Sequence, residues 1–166
     1  LEKDPKQKDR VKKITEWIAW KGNSASTKVV ATPKLSAEHQ KLFNDGKLRY
    51  QVLCAACHQL TGQGLAGLAP PLAASEWVEG PQGRLSRIIM HGVGGEITAA
   101  GVSFNLEMPP LGGALDDQAI AEIMTYVRNE WGNSANAVSV SEVKAVRAAE
   151  SKRGASWTVE ELLKIK

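Results

Sequence analysis

The chain has 166 residues, 43% hydrophobic and 23% charged, with 15 Gly, 7 Pro and a net charge of +3. That length and composition suit one domain with a proper core and exclude a fibrous or wholly disordered chain, and no apolar run approaches the length that spans a bilayer. Charge is uneven, with six Lys/Arg against ten Asp/Glu over residues 35–131 and basic segments at both ends; without a basic stripe interleaved with aromatics, no nucleic-acid partner is expected.

Residues 1–13 are a charged lead, and 11–20 ("VKKITEWIAW") place Val11, Ile14, Trp17 and Ile18 on one helical face. The chain opens Leu-Glu-Lys, which reads as a processed protein or an excised piece. A linker rich in small polar residues follows over 21–34. Ser36 is an N-cap for a helix running to about Cys54, with Leu42, Phe43, Gly46, Tyr50 and Leu53 along one side. Glycine and proline break 59–73 into loop. Residues 82–92 form a short helix stopped by Gly92, and 93–115 read as loop. Asp116 caps a helix whose apolar face carries Ile120, Ile123, Met124, Val127 and Trp131, ended by Gly132. Two capping boxes, Ser139 with Glu142 and Thr158 with Glu161, start two short helices in the tail. The class is all-α with long loops, and loops of that length need something to pack on.

The two cysteines fall together in "CAACH", Cys54 to His58. At the end of a helix, i and i+3 put both sulfurs on one face and i+4 brings the imidazole beside them. Two thioethers can then fix a flat porphyrin, with the His nitrogen reaching its iron from the same side. Zinc would need four ligands, and His39 and His91 form no pair. A redox dithiol would open a helix after a strand, whereas this pair follows a helix. Two incidental cysteines remain the plain alternative. An electron-transfer haem needs a sixth ligand. Met108, in "NLEMPPLGG", is presented by a loop that Pro109 and Pro110 stiffen, and a thioether opposite His favours Fe(II); His91 is the alternative. Met90 and Met124 lie on helical faces as core. The second nitrogen of His58 needs a carbonyl to orient the ring. Pro70, in "APPL" (69–72), is the first candidate and Pro71 the second.

With these parts in order, the chain resembles the class I, single-haem cytochromes c over roughly residues 35–131: Cys54-Ala55-Ala56-Cys57-His58, Pro70-x-Leu72, Met108 in its Met-Pro loop, and a closing helix. Gly46 and Tyr50 match the positions where that family crosses its first and last helices, answered here by Ile123 and Tyr126. The resemblance implies three to five helices wrapped around one covalent haem c held through Cys54 and Cys57, with helical extensions at both ends. It divides the chain into an N-terminal helix and linker (1–34), a cytochrome domain (35–132) and a C-terminal extension (133–166). It implies His58 and Met108 as iron ligands and Trp77, Arg84, Arg87 and Asn105 as donors to the propionates. It also implies attachment outside the cytoplasm, in the periplasm or another extracytoplasmic space.

"GLAPPLAASEWV" (67–78), "RLSRIIMHG" (84–92) and the tail "VKAVRAAE" with "WTVEELLKI" are further similar to haem domains that close long secreted bacterial dehydrogenase-like chains. Trp20-Lys21-Gly22 would mark the junction. The expected role is one-electron transfer, from a fused or docked dehydrogenase to a terminal oxidase or other acceptor. A haem enzyme or sensor that binds peroxide, NO or CO after loss of the Met ligand is the alternative. A helical domain with a bare Cys-x-x-Cys is the third reading.

Overall fold

Ser36 opens the first helix of the computed structural model, which describes residues 35–105 and 107–166. The helix and linker expected within 1–34 lie outside the described residues. Helix α1 (Ala37–Leu53) starts where the Ser36 side chain accepts from the His39 amide at 3.2 Å, and continues through a further turn, α2 (Ala55–His58). Leu42, Gly46 and Tyr50 are buried and Phe43 packs partly. Leu53, expected on that face, is 48% exposed and lines the cavity described below.

Helix α5 (Asp117–Val127) closes on α1, its N-terminus capped by the Asp116 carboxylate accepting from the Ala119 amide at 2.7 Å. The crossing is backbone on backbone: a Cβ on Gly46 would stand 2.0 Å from the Glu122 carbonyl oxygen. Around it Phe43, Tyr50, Tyr126 and Trp131 stack edge to face and tilted, with centroids 5.1–5.3 Å apart, in the offset geometry that aromatic quadrupoles favour. Arg49 pairs with the buried Glu122 across the same junction. The helix ends at Val127, short of the expected Gly132. Side chains take the carbonyls that would have continued it: the Asn129 amide donates to Thr125 O at 2.9 Å and the Asn133 amide to Val127 O at 2.7 Å. The buried Arg128 turns its guanidinium to the carbonyls of Val78, Gly80 and Asn136.

Between these helices lie α3 (Glu76–Glu79), capped by Ser75 and not expected from the sequence, and α4 (Gln82–His91), which Gly92 ends at φ 76°. The stretch 93–115, expected to be loop, carries strands β1 (Val93–Gly94), β2 (Ile97–Ala99) and β3 (Val102–Phe104). Strands β2 and β3 form an antiparallel hairpin turned by Ala100 and Gly101, both at positive φ, as a two-residue hairpin turn demands.

In the extension, both capping boxes form and start α6 (Val140–Ala149) and α7 (Val159–Leu163). The segment packs back on the domain, burying Val138, Val143 and Leu162 completely, and the Thr125 hydroxyl accepts from the Val138 amide at 3.1 Å. Strand β4 (Trp157–Thr158) pairs in parallel with β1, Val93 opposite Trp157. The molecule is largely helical, with seven helices among the described residues, and these two small sheets are the departure from an all-α reading. No helix among the described residues is long and apolar enough to cross a membrane.

Candidate functional site

The "CAACH" turn sits where α1 runs into α2, and its side chains face a cavity of about 310 Å³ lined almost wholly by apolar groups. Cys54, Cys57 and His58 form one wall, with both cysteines free. Pro70, Pro71, Leu72 and Trp77 line a second, Leu85, Ile88 and Ile89 of α4 a third, and Met108 with Pro109 and Leu111 a fourth. Of the residues expected at the site, Cys54, Cys57, His58, Pro70, Pro71, Leu72, Trp77 and Met108 are brought together.

Arg84, Arg87 and Asn105 are not among the lining residues. Arg84 donates to the carbonyls of Leu162 and Ile165, both at 3.1 Å, and Arg87 pairs with Glu150 at 2.6 Å. The Asn105 residue is exposed beside the β3 strand. Trp77 lines the cavity, but its indole N–H donates to Thr98 O at 2.8 Å. The tail explains the two arginines: their carbonyl and carboxylate partners come from residues beyond 132. His39 lies in the first turn of α1. His91, the alternative ligand, lines a separate polar cavity with Arg147, Glu150 and Arg153.

His58 is held by its Nδ1, 3.0 Å from the Pro70 carbonyl oxygen. Burial lowers its pKa, against the opposing effect of that hydrogen bond, so the ring is neutral at neutral pH, as a metal ligand must be. With Nδ1 engaged, Nε2 is the nitrogen left to bind a metal. The Pro70 carbonyl is fixed by its surroundings. Leu72 N and Ala73 N both donate to Gly62 O, at 2.7 and 3.0 Å, and Gly64 N donates to His58 O at 3.0 Å. Gly64 lies at φ 68°, and a Cβ there would stand 2.7 Å from Pro70 O, so glycine is required twice over, for conformation and for space. The buried Asn133 completes the frame, donating to Leu72 O at 2.9 Å and accepting from Ala74 N at 2.7 Å.

Met108 is presented by backbone pairing, not by a helix. Its N–H donates to Val93 O at 2.9 Å, and its carbonyl accepts from Val93 N at 3.2 Å. The loop after it is stitched to α4, with Leu111 N donating to Ile89 O and Gly112 N to Met90 O, both at 3.0 Å. Burial, then the neighbouring Cys57, pushes the Cys54 thiol up to about 11, which disfavours the thiolate that a redox dithiol uses. No group of three or more His, Cys, Asp or Glu among the described residues converges as a metal site.

A haem c fits this set of donors. Two free thiols, a neutral imidazole with one nitrogen already bonded, and a thioether share one apolar cavity. Gly64 and Asn133 had no distinguishing signal in the sequence. A glycine in a glycine-rich loop and an asparagine after a tryptophan-glycine turn read as ordinary loop.

Comparison with known proteins gives a matching picture. The family model described as "Cytochrome C oxidase, cbb3-type, subunit III" matches residues 41–127. The chain is similar to cytochrome c-552 of Thermus thermophilus, 33% identical over 104 residues, covering 57% of this chain and 79% of that protein. It is also similar to the gluconate 2-dehydrogenase cytochrome c subunit of Pantoea cypripedii, 33% identical over 100 residues, 59% of this chain and 23% of that one. For the cytochrome c subunit of the quinone alcohol dehydrogenase of Gluconacetobacter polyoxogenes the identity is 34% over 98 residues, 57% and 20% of the two chains. The match to each dehydrogenase subunit thus spans only about a fifth of that subunit's length.

Proposed function

Since the chain belongs to the cytochrome c family, we propose that it is a single-haem c-type electron carrier, with the haem held through Cys54 and Cys57 and ligated by His58 and Met108. The observation that carries the reading is the convergence of those four side chains on one apolar cavity. Cys54 and Cys57 would hold the porphyrin as thioethers, each S–H adding across a vinyl group with nothing displaced. When bound, the haem supplies one-electron chemistry. His58 offers Nε2 in a direction set by the Pro70 carbonyl, and Met108 offers a soft sulfur that raises the reduction potential. Leu85, Ile88, Ile89 and Phe104 line the cavity and keep water from its inner side, and the backbone bonds of Val93 to Met108 hold the thioether in place.

The donor is a dehydrogenase, fused or docked, in an extracytoplasmic compartment, and the acceptor a terminal oxidase or other electron acceptor. The kinship with dehydrogenase cytochrome subunits supports the donor class.

The chain, made in a host that matures c-type cytochromes, tests the proposal. The expected product is red, keeps its haem on denaturation, and has a ferric thioether-to-iron charge-transfer band. Met108→Ala should lose that band and let the ferrous form bind CO, while Cys54→Ala with Cys57→Ala should abolish covalent haem. A colourless product overturns the proposal. A parent that binds CO at rest replaces it with a ligand-binding haem protein.

A further inference from the structure

We infer that the 133–166 extension is a brace for the Met108 loop, with Arg147 and the strand at Trp157 as positioning residues for the sixth ligand. The inference rests on the reading of Met108 as that ligand. Its starting point is a shortage of donors within the loop itself: Pro109 and Pro110 have no N–H, and although Leu111 O accepts from Ala114 N and Leu115 N, the carbonyls of Gly112 and Leu115 take no backbone N–H among the described residues.

Arg147 supplies those donors. From α6 its guanidinium gives one N–H to Gly112 O at 2.7 Å, a second to Leu115 O at 2.7 Å and a third to the Asp117 carboxylate at 2.6 Å. A planar fork can do this where an ammonium cannot. The base of the fork is itself fixed, since Val143 of α6 is fully buried and Glu150 at its end pairs with Arg87 of α4. Arg147 therefore ties the far side of the loop to the start of α5.

The near side is tied by β4. Val93 turns its own N–H and C=O to Met108, while Trp157 N donates to Gly92 O at 3.1 Å on the other edge. Strand β1 thus lies between Met108 and the tail. The Ser156 hydroxyl also donates to the Glu107 carboxylate at 2.6 Å, and Arg153 stacks 3.5 Å over the Trp157 ring. The fit at the seam is close, because a Cβ on Gly92 would stand 2.3 Å from Met108 O.

A neutral thioether is a weak ligand, so its occupancy follows the equilibrium between the seated and released loop. The extension biases that equilibrium through the loop and through strand β1. Imidazole, which competes for the sixth position of a ferric haem c, reads it directly.

The test uses the whole holoprotein and compares Arg147→Ala, Arg147→Lys and a control, Leu42→Ala, which lowers general stability from the far helix. Loss of hydrogen bonds to a charged donor should tighten the apparent imidazole affinity of R147A by roughly tenfold to a hundredfold. R147K, which keeps the pairing with Asp117, should fall between R147A and the parent and serves if R147A does not fold. Amide hydrogen exchange at Met108, Leu111 and Gly112 should accelerate by a similar factor in R147A, and not at Ile120 to Met124. Equal shifts in the arginine variants and L42A, or exchange that rises uniformly, overturn the inference and leave the extension a general stabiliser. A parent without thioether absorption, unchanged by M108A, overturns the ligand reading and this inference with it.

Discussion

Gly46 shows how a single missing atom determines the arrangement of two helices. A Cβ there would lie 2.0 Å from Glu122 O and 2.4 Å from Glu122 C, and backbone cannot rotate away as a side chain can. Two effects oppose each other in Gly46→Ala: alanine favours a helix by about 1 kcal/mol, while forced overpacking costs about 1–3 kcal/mol or more. With backbone as the obstacle the clash wins. The expected result is a net loss of about 2 kcal/mol or more in chemical denaturation, with a weakened contact among Phe43, Tyr50 and Tyr126. This residue, with Tyr50, was legible in the sequence because it stands at a fixed distance before Cys54. Pro70 was legible for a similar reason, since a stiff turn beyond an axial histidine can offer only a few carbonyls. Asn133 and Arg147 were not. Their importance lies in which distant carbonyls they reach, and an isolated amide or guanidinium has no local pattern that reveals its partner.

Among the elements, the longer helices are legible from caps and periodicity, whereas the single turn that Ser75 caps and the short strands are not. Ser36, Asp116, Ser139 and Thr158 each cap a helix as their side chains suggest. Strands of two or three residues are too short for alternation to register, so the β2–β3 hairpin and the β1–β4 pair passed as loop. The premature end of α5 was hidden because Trp131 keeps helical spacing although it sits at φ 54° outside the helix. The cap of α6 makes a pH prediction. Burial pushes the Glu142 carboxyl up, but bonds from Ser139 and Gln82 and the charge of Arg128 outweigh it and hold the pKa below its ordinary 4.5. A lowered folded pKa means that the stabilisation is present in full above pH 4.5 and disappears as pH falls through the folded value. Glu142→Ala should therefore cost about 1 kcal/mol at neutral pH. Thermal melts of parent and variant should converge as the pH falls below the folded value.

For the whole molecule, the cavity divides a core that would otherwise be continuous. Leu85 and Ile89 belong to one buried cluster, Ile88 and Phe104 to the other, and all four line the cavity that separates them. A chain unable to attach haem has apolar walls with nothing between them. C54A/C57A should keep helical far-UV dichroism, lose near-UV signal from its tryptophans, and bind a hydrophobic dye, the properties of a compact but loosely packed state. Holoprotein under the same conditions should bind no dye, since a ligand that fills the folded state stabilises it.

The parallel pairing of Gly92 and Val93 with Trp157 also bears on the timetable of biogenesis. A polypeptide made from its N-terminus completes the cysteine turn and α4 long before the closing strand exists. Until that strand arrives, the panel bearing Met108 is an edge with one side unpaired, and a broad flat guest meets a half-built wall. Delivery of the prosthetic group should be easiest in this interval and hardest once β4 has docked, so a chain cut short before Trp157 should accept haem faster than one that includes β4, and release its methionine sooner.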